Sequence, residues 1–210
     1  MAATPRLALR VRRRARRSHA ERRAETRAKI LAAVVDAIAE QGFQRATAQQ
    51  IAGRAGVTWG AVQHHFGGKD GLMLAVLEES FNGLAVRLAD VPIASTTLAE
   101  RAGIFVDRAW EHFSGRHYRA TLEIMLSYLG RPGVAEDVDW RRRMLHAFDA
   151  LWTRLFAGSR LSHQRSLALQ RFTVSALSGL ASTHLLAGAG AAPKRELAVL
   201  KEVLVRELGS

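Results

Sequence analysis

Thr47 to Phe66 reads TAQQIAGRAGVTWGAVQHHF, and this stretch decides the fold. Thr47 and Gln50 have the spacing of a capping box, in which hydroxyl and amide each satisfy a backbone N–H at a helix start. Ile51, Ala52 and Ala55 follow at helical spacing, and Gly56 supplies the left-handed backbone that ends a helix sharply. Val57 plugs inward, and Thr58 caps a second short helix. In that helix Val62 and Phe66 are four apart and face the core, while Gly60, Gln63 and His64 lie on the opposite arc. Helix, glycine turn and helix with a polar outer face is the helix-turn-helix pattern, whose second helix enters a DNA major groove. An ordinary αα-hairpin shares the bare spacing, so the flanking sequence has to decide.

The flanks are Ile30-Leu31-x-x-Val34-x-x-x-Ile38, then EQGF at Glu40 to Phe43, the block AGVTWGAVQHHF, and Lys69-Asp70, all in one order. Together they resemble the N-terminal domain of the TetR family of bacterial transcriptional regulators. There the block typically reads AGVSxGTLYxHF, followed by a lysine and an acidic residue. The resemblance covers residues 25–77; beyond them only the all-helical architecture is shared. Trp59 stands where a small or basic residue is more usual, and Gln63 where tyrosine is. The resemblance implies an all-α fold with an N-terminal three-helix helix-turn-helix domain and a C-terminal helical ligand-binding and dimerisation domain. It assigns DNA contact to Thr47, Thr58, Trp59, Gly60, Ala61, Gln63, His64, His65 and Lys69. The chemistry is consistent with those roles. Glutamine pairs with an adenine edge, Gly60 and Ala61 allow close approach or meet a thymine methyl, and Lys69 meets a phosphate. Two residues keep alternatives: His65 is either a contact or a boundary residue packed beside Phe66, and Trp59 either a base reader or a half-buried wedge.

The formal charge of +12 is unevenly spread. Eleven of the basic residues fall in residues 1–29, against only Glu21 and Glu25. The run RLALRVRRRARRSHAERR reads as a flexible basic arm over residues 1–23, either a solvated tail or, as the adjoining motif favours, an arm tracking DNA phosphates or a minor groove. A secretory signal is not expected, because no apolar h-region follows the arginines. The absence of cysteine excludes disulfides and thiolate metal sites, and it suits the cytoplasm that a regulator of this kind would occupy.

Residues 24–69 form the expected DNA-binding domain, its first helix running from Ala24 to Gln41 and closed by Gly42. Residues 70–210 form the expected regulatory domain. A helix from Asp70 stops at Val91-Pro92, and Thr97-x-x-Glu100 is a second capping box opening the next one. Further helices are expected over 118–129, 136–156, 162–186 and 194–208, with a Gly130-Arg131-Pro132-Gly133 break. Phe172 to Pro193 contains no charged residue; its serines, His184 and glycines argue for a closely packed helix rather than a membrane span. Family resemblance puts a homodimer interface on the last two helices, to which Leu185 and the stripe Leu197, Leu200, Leu204 and Leu208 are expected to contribute.

The resemblance also implies an inducer pocket among the middle helices, where Phe105, Trp110, Met144, Phe148 and Trp152 are candidate lining residues. Glu123 is the foremost candidate for a polar handle, followed by His112 and His146. No GxSxG, P-loop or HExxH motif is present, and the histidines are scattered, so neither catalysis, a cofactor nor a metal site is expected. The reading is a regulator, most simply a repressor, bound to a palindromic double-stranded operator as a homodimer and released by a small-molecule effector. Two rivals stand beside it: a basic, sequence-tolerant DNA-coating protein, and a same-fold small-molecule-binding protein or enzyme without operator recognition.

Overall fold

The computed structural model describes residues 18–128, 138–188, 190 and 192–209. Among the described residues all regular structure is helical. In chain order the helices are α1 (His19–Gln41), α2 (Ala48–Ala55), α3 (Trp59–Phe66), α4 (Lys69–Ala89), α5 (Leu98–Phe113), α6 (Arg116–Tyr128), α7 (Val138–Leu155), α8 (His163–Leu186) and α9 (Lys194–Gly209). The glycine–proline break at 130–133 and the side chain of Trp140 lie outside what is described.

One expected boundary moves. α1 starts at His19 rather than Ala24, because Ser18 and Glu21 form a capping box within the arginine-rich run. Ser18 Oγ accepts from the Glu21 N–H at 3.1 Å, and Glu21 Oε2 accepts from the Ser18 N–H at 2.7 Å. The last part of the expected arm is therefore helix, and residues 1–17 lie outside the described residues.

Two cores form, and α4 runs through both. The head core gathers Ile30, Val34, Ile38, Phe43, Ile51, Val62 and the Leu72–Leu77 part of α4. The body core holds Leu84 and Leu88 from the far half of α4, with Phe105, Val106, Trp152, Leu155, Leu177 and Leu204. Phe105 stands edge-on to Trp152, with ring centroids 5.4 Å apart, a favoured aromatic geometry. α6 bridges the two cores: its Ala120 and Ile124 are fully buried in the head, whereas Tyr118 packs in the body.

Buried Arg101 has a structural role. Its Nη1 donates to the carbonyls of Leu155 at 2.7 Å and Ala157 at 3.1 Å, satisfying the open end of α7 where a cation also suits the helix dipole. The α9 leucines differ from expectation. Leu197, Leu200, Leu204 and Leu208 are buried within the subunit, where α9 packs on α5 and α8. What α8 and α9 expose instead is Phe172, Leu186, Val199 and Val205, with small Ser175 and Gly179 between the first two.

Candidate nucleic-acid interface and ligand cavity

The helix-turn-helix is built by local chemistry. Thr47 Oγ1 accepts from the Gln50 N–H at 3.3 Å, and Gln50 Oε1 accepts from the Thr47 N–H at 3.0 Å. Gly56 takes the left-handed conformation, φ 67° and ψ 32°, and its N–H returns to the last turn of α2. Thr58 Oγ1 accepts from Ala61 N–H at 3.2 Å to start α3. Arg54 and Glu40 form a two-pronged ion pair that ties α2 to the end of α1, and the guanidinium holds the carboxyl below its usual range. After α3, Gly67 and Gly68 turn the chain into α4. Gly71 admits no side chain, since a Cβ there would lie 1.9 Å from the Phe66 carbonyl oxygen. That close approach presses the start of α4 against the end of α3.

With Val62 fully buried, the opposite side of α3 faces outward. Gly60, Gln63 and His64 are exposed there, with Thr47, Thr58 and Lys69 exposed around them. Ala61 is half-buried. Trp59 is half-buried as well and packs on the head core. His65 is half-buried, its ring centroid 6.1 Å from that of Phe66. Desolvation first, then the charges of Arg23, His64 and Arg27, hold its imidazole below the ordinary histidine pKa. Lys69 Nζ lies 5.4 Å over the Phe43 ring, which anchors its stem beside α3.

Two residues missing from the sequence-based site belong to this surface. Arg27 lies 4.8 Å over the Phe66 ring, and Arg23, one turn earlier, faces the same end of α3. The i, i+4 spacing of the two arginines on an outward arc of α1 was the available signal, hidden inside a longer basic run.

A separate cavity of about 250 Å³ lies between α4, α5, α6, α7 and α8. Met144 and Phe148 line it, as does His112. Phe105 and Trp152 do not: both are sealed into the body core, where they pack on each other. Trp110 is buried against His184 instead, and His146 is exposed on α7. Glu123 also lies elsewhere. Its carboxylate accepts from the Phe43 N–H at 2.8 Å and pairs with Arg119, at the junction of head and body. Sequence spacing put it at the edge of an apolar face, and that face turns out to be the one α6 shows to the head. Tyr118, Thr121 and Ser178, absent from the sequence-based set, supply the cavity's hydroxyls.

A three-helix head presenting α3 outward, on an all-helical body with a cavity between its helices, is a helix-turn-helix architecture. The family model for bacterial regulatory proteins of the tetR family matches residues 30–76, the helix-turn-helix head and the first third of α4. The regulator BetI 2 of Chromohalobacter salexigens is 43% identical over 53 residues, a stretch that covers 25% of this chain and 26% of that protein. The chain thus spans about a quarter of that relative. Whole-chain likeness is structural. A transcriptional regulator from Rhodococcus sp. Rha1 superposes with a TM-score of 0.70 at 22% identity, over 87% of this chain and 95% of that one. The multidrug binding protein EbrR, in complex with imidazole, gives 0.63 at 25% identity, over 91% and 95%. No described helix is long and apolar enough to cross a membrane.

Proposed function

We propose that the chain is a sequence-specific DNA-binding regulator, acting as a homodimer on a palindromic operator and released by a small molecule bound in the cavity. The observation that carries this reading is the outward arc of α3, where Gln63 and His64 are exposed while Val62 is fully buried. Gln63 reads a base edge, most simply an adenine, and Lys69, Arg23 and Arg27 hold phosphates on either side. Thr47 and Thr58 present hydroxyls at two helix starts, where backbone N–H groups favour an anion. Trp59 is better used as a wedge that fixes the angle of α3 than as a base reader.

The dimer is proposed to form through the exposed apolar residues of α8 and α9. Phe172 and Leu186 flank small Ser175 and Gly179 there, which suits close helix packing. A two-fold axis would place the recognition helices about 34–36 Å apart, or a multiple of that, and so call for a palindrome.

Selection of bound sequences from a random DNA pool tests the reading. A palindrome is expected, and Gln63→Ala should relax preference at one position per half-site at a cost of ~1–3 kcal/mol. Lys69→Ala should weaken binding to all sequences alike. Equal affinity for random and selected DNA would favour the coating protein. No DNA binding, with turnover of a compound in the cavity, would favour an enzyme.

A further inference from the structure

The cavity's lining is specific enough to define the class of molecule it takes. Its apolar walls are Leu77, Phe81, Leu84, Met144 and Phe148, with Val174 from α8. Two polar pairs interrupt them. Ser80 Oγ lies 3.5 Å from His112 Nε2 on one side, and the Tyr118 hydroxyl lies 2.6 Å from Ser178 Oγ on the other. Thr121 completes the polar set, but its hydroxyl already donates to the His117 carbonyl at 2.9 Å. Among the described residues, no aspartate, glutamate, lysine or arginine lines the space.

We propose that the effector is an uncharged, largely apolar molecule of about ten to fifteen non-hydrogen atoms with one hydroxyl or carbonyl that joins the Tyr118–Ser178 or Ser80–His112 pair. The inference rests on the regulator reading above and gives its ligand a chemistry. Size follows from volume: an apolar cavity of roughly 150 Å³ takes benzene, so about 250 Å³ takes a ring bearing a short chain. Polarity follows from the pairs. In a hydrogen-bonded couple of hydroxyls one proton is used between them and the other is left to donate, so Tyr118–Ser178 offers both a donor and an acceptor.

The absence of charge follows from the lining. A carboxylate or ammonium placed among these side chains would lose its hydration without meeting a counter-charge. His112 does not supply one, because burial keeps its imidazole neutral at pH 7, with a pKa lowered to about 4. Burial likewise keeps the Tyr118 phenol protonated, its pKa raised. An adjoining groove beside Phe81 and Met144 is bordered by Glu78 and Arg143, one charge of each sign, so it favours neither anions nor cations.

Three probes of matched shape test this: para-pentylphenol, para-pentylbenzoate and para-pentylbenzylammonium, titrated calorimetrically into the full chain at pH 7. The phenol should bind one per subunit, at least about tenfold more tightly than either ion. Phe148→Trp, which fills the cavity, should abolish that binding, and Met144→Phe provides a second obstruction should the first variant fold poorly. Equal or tighter binding of an ion, no binding of the phenol, or unchanged phenol affinity in a folded cavity-filling variant would each overturn the proposal. Phenol binding that leaves affinity for selected DNA unchanged would instead overturn the regulator reading while sparing the chemistry of the cavity.

Discussion

The Glu123 carboxylate accepts a hydrogen bond from the Phe43 N–H at 2.8 Å, joining α6 to the turn that leads into the helix-turn-helix. Its other oxygen takes Arg119 Nε at 3.2 Å, and Arg116 at the start of α6 reaches Asp36 on α1 at 2.6 Å. α6 therefore has two working faces. Tyr118, Thr121 and Met125 meet the cavity, while Ala120, Glu123 and Ile124 meet the head. If a ligand bound in the cavity shifts the first face, the second should move with it, because a close-packed helix transmits displacement rather than absorbing it.

Glu123→Ala should lose a charge-assisted hydrogen bond, worth about 1–2 kcal/mol in urea unfolding, while Glu123→Gln keeps an acceptor and loses less. The alanine variant should also bind para-pentylphenol normally but release selected DNA less completely on binding it. An unfolding midpoint equal to wild type would mean that the contact does not hold head to body.

How much of this was legible in the sequence depends on the range over which each signal acts. The head was readable because its caps and its turn are local: Thr47 answers Gln50, Gly56 ends α2, and Thr58 starts α3. The start of α1 at Ser18 was equally local, yet its capping box lay inside a run of arginines whose charge dominated the reading. Glu123 was out of reach, since its partner Phe43 is 80 residues away and a backbone N–H leaves no mark in the side-chain pattern. The α9 stripe gave the right periodicity without an owner. Heptad-like spacing says that Leu197, Leu200, Leu204 and Leu208 are covered, not whether α5 or a second subunit covers them.

That distinction decides which residue tests the dimer. Leu200→Glu puts a carboxylate into the subunit's own core, where Leu200 is 4% exposed, and should unfold the protein rather than separate dimers. Phe172, by contrast, is 52% exposed on α8 and lies on the proposed dimer face. Phe172→Glu should yield a folded monomer by light scattering and circular dichroism, with affinity for the palindrome lost. A dimeric Phe172→Glu protein would move the interface off this face.

His112 makes stability depend on pH. In an unfolded chain its imidazole titrates near 6.5; in the fold burial, followed by the charges of Arg87 and His117, brings it to about 4. Between those values the unfolded state holds a proton that the native state does not. The contribution is thus complete above about pH 6.5 and is lost progressively as the pH falls toward 4. His112→Leu should remove ~2 kcal/mol of the stability loss that wild type shows between pH 7 and pH 5. The same slope in both proteins, by urea unfolding at the two pH values, would place the titrating group elsewhere.

The arm and the head should separate by salt dependence. Residues 1–17 carry seven arginines and no acidic residue, and Ser18 is where the helical cap begins. A truncation ending at Arg17 therefore removes charge and keeps the cap, whereas a cut at residue 20 would also remove Ser18 and confuse lost charge with lost helix. Each phosphate neutralised steepens the log–log salt dependence of binding by ~0.9. If the arm follows the backbone, removing residues 1–17 should weaken binding to the selected palindrome and flatten that slope by several such increments. The selected sequence should stay the same, because Gln63 and its neighbours remain to read it. Thermal stability should hardly change, since the head core starts at Ile30 and the cap is intact. An unchanged slope would make the arm a solvated tail. A changed palindrome would mean that the arm reads sequence as well, and the division of labour between arginines and recognition helix would have to be redrawn.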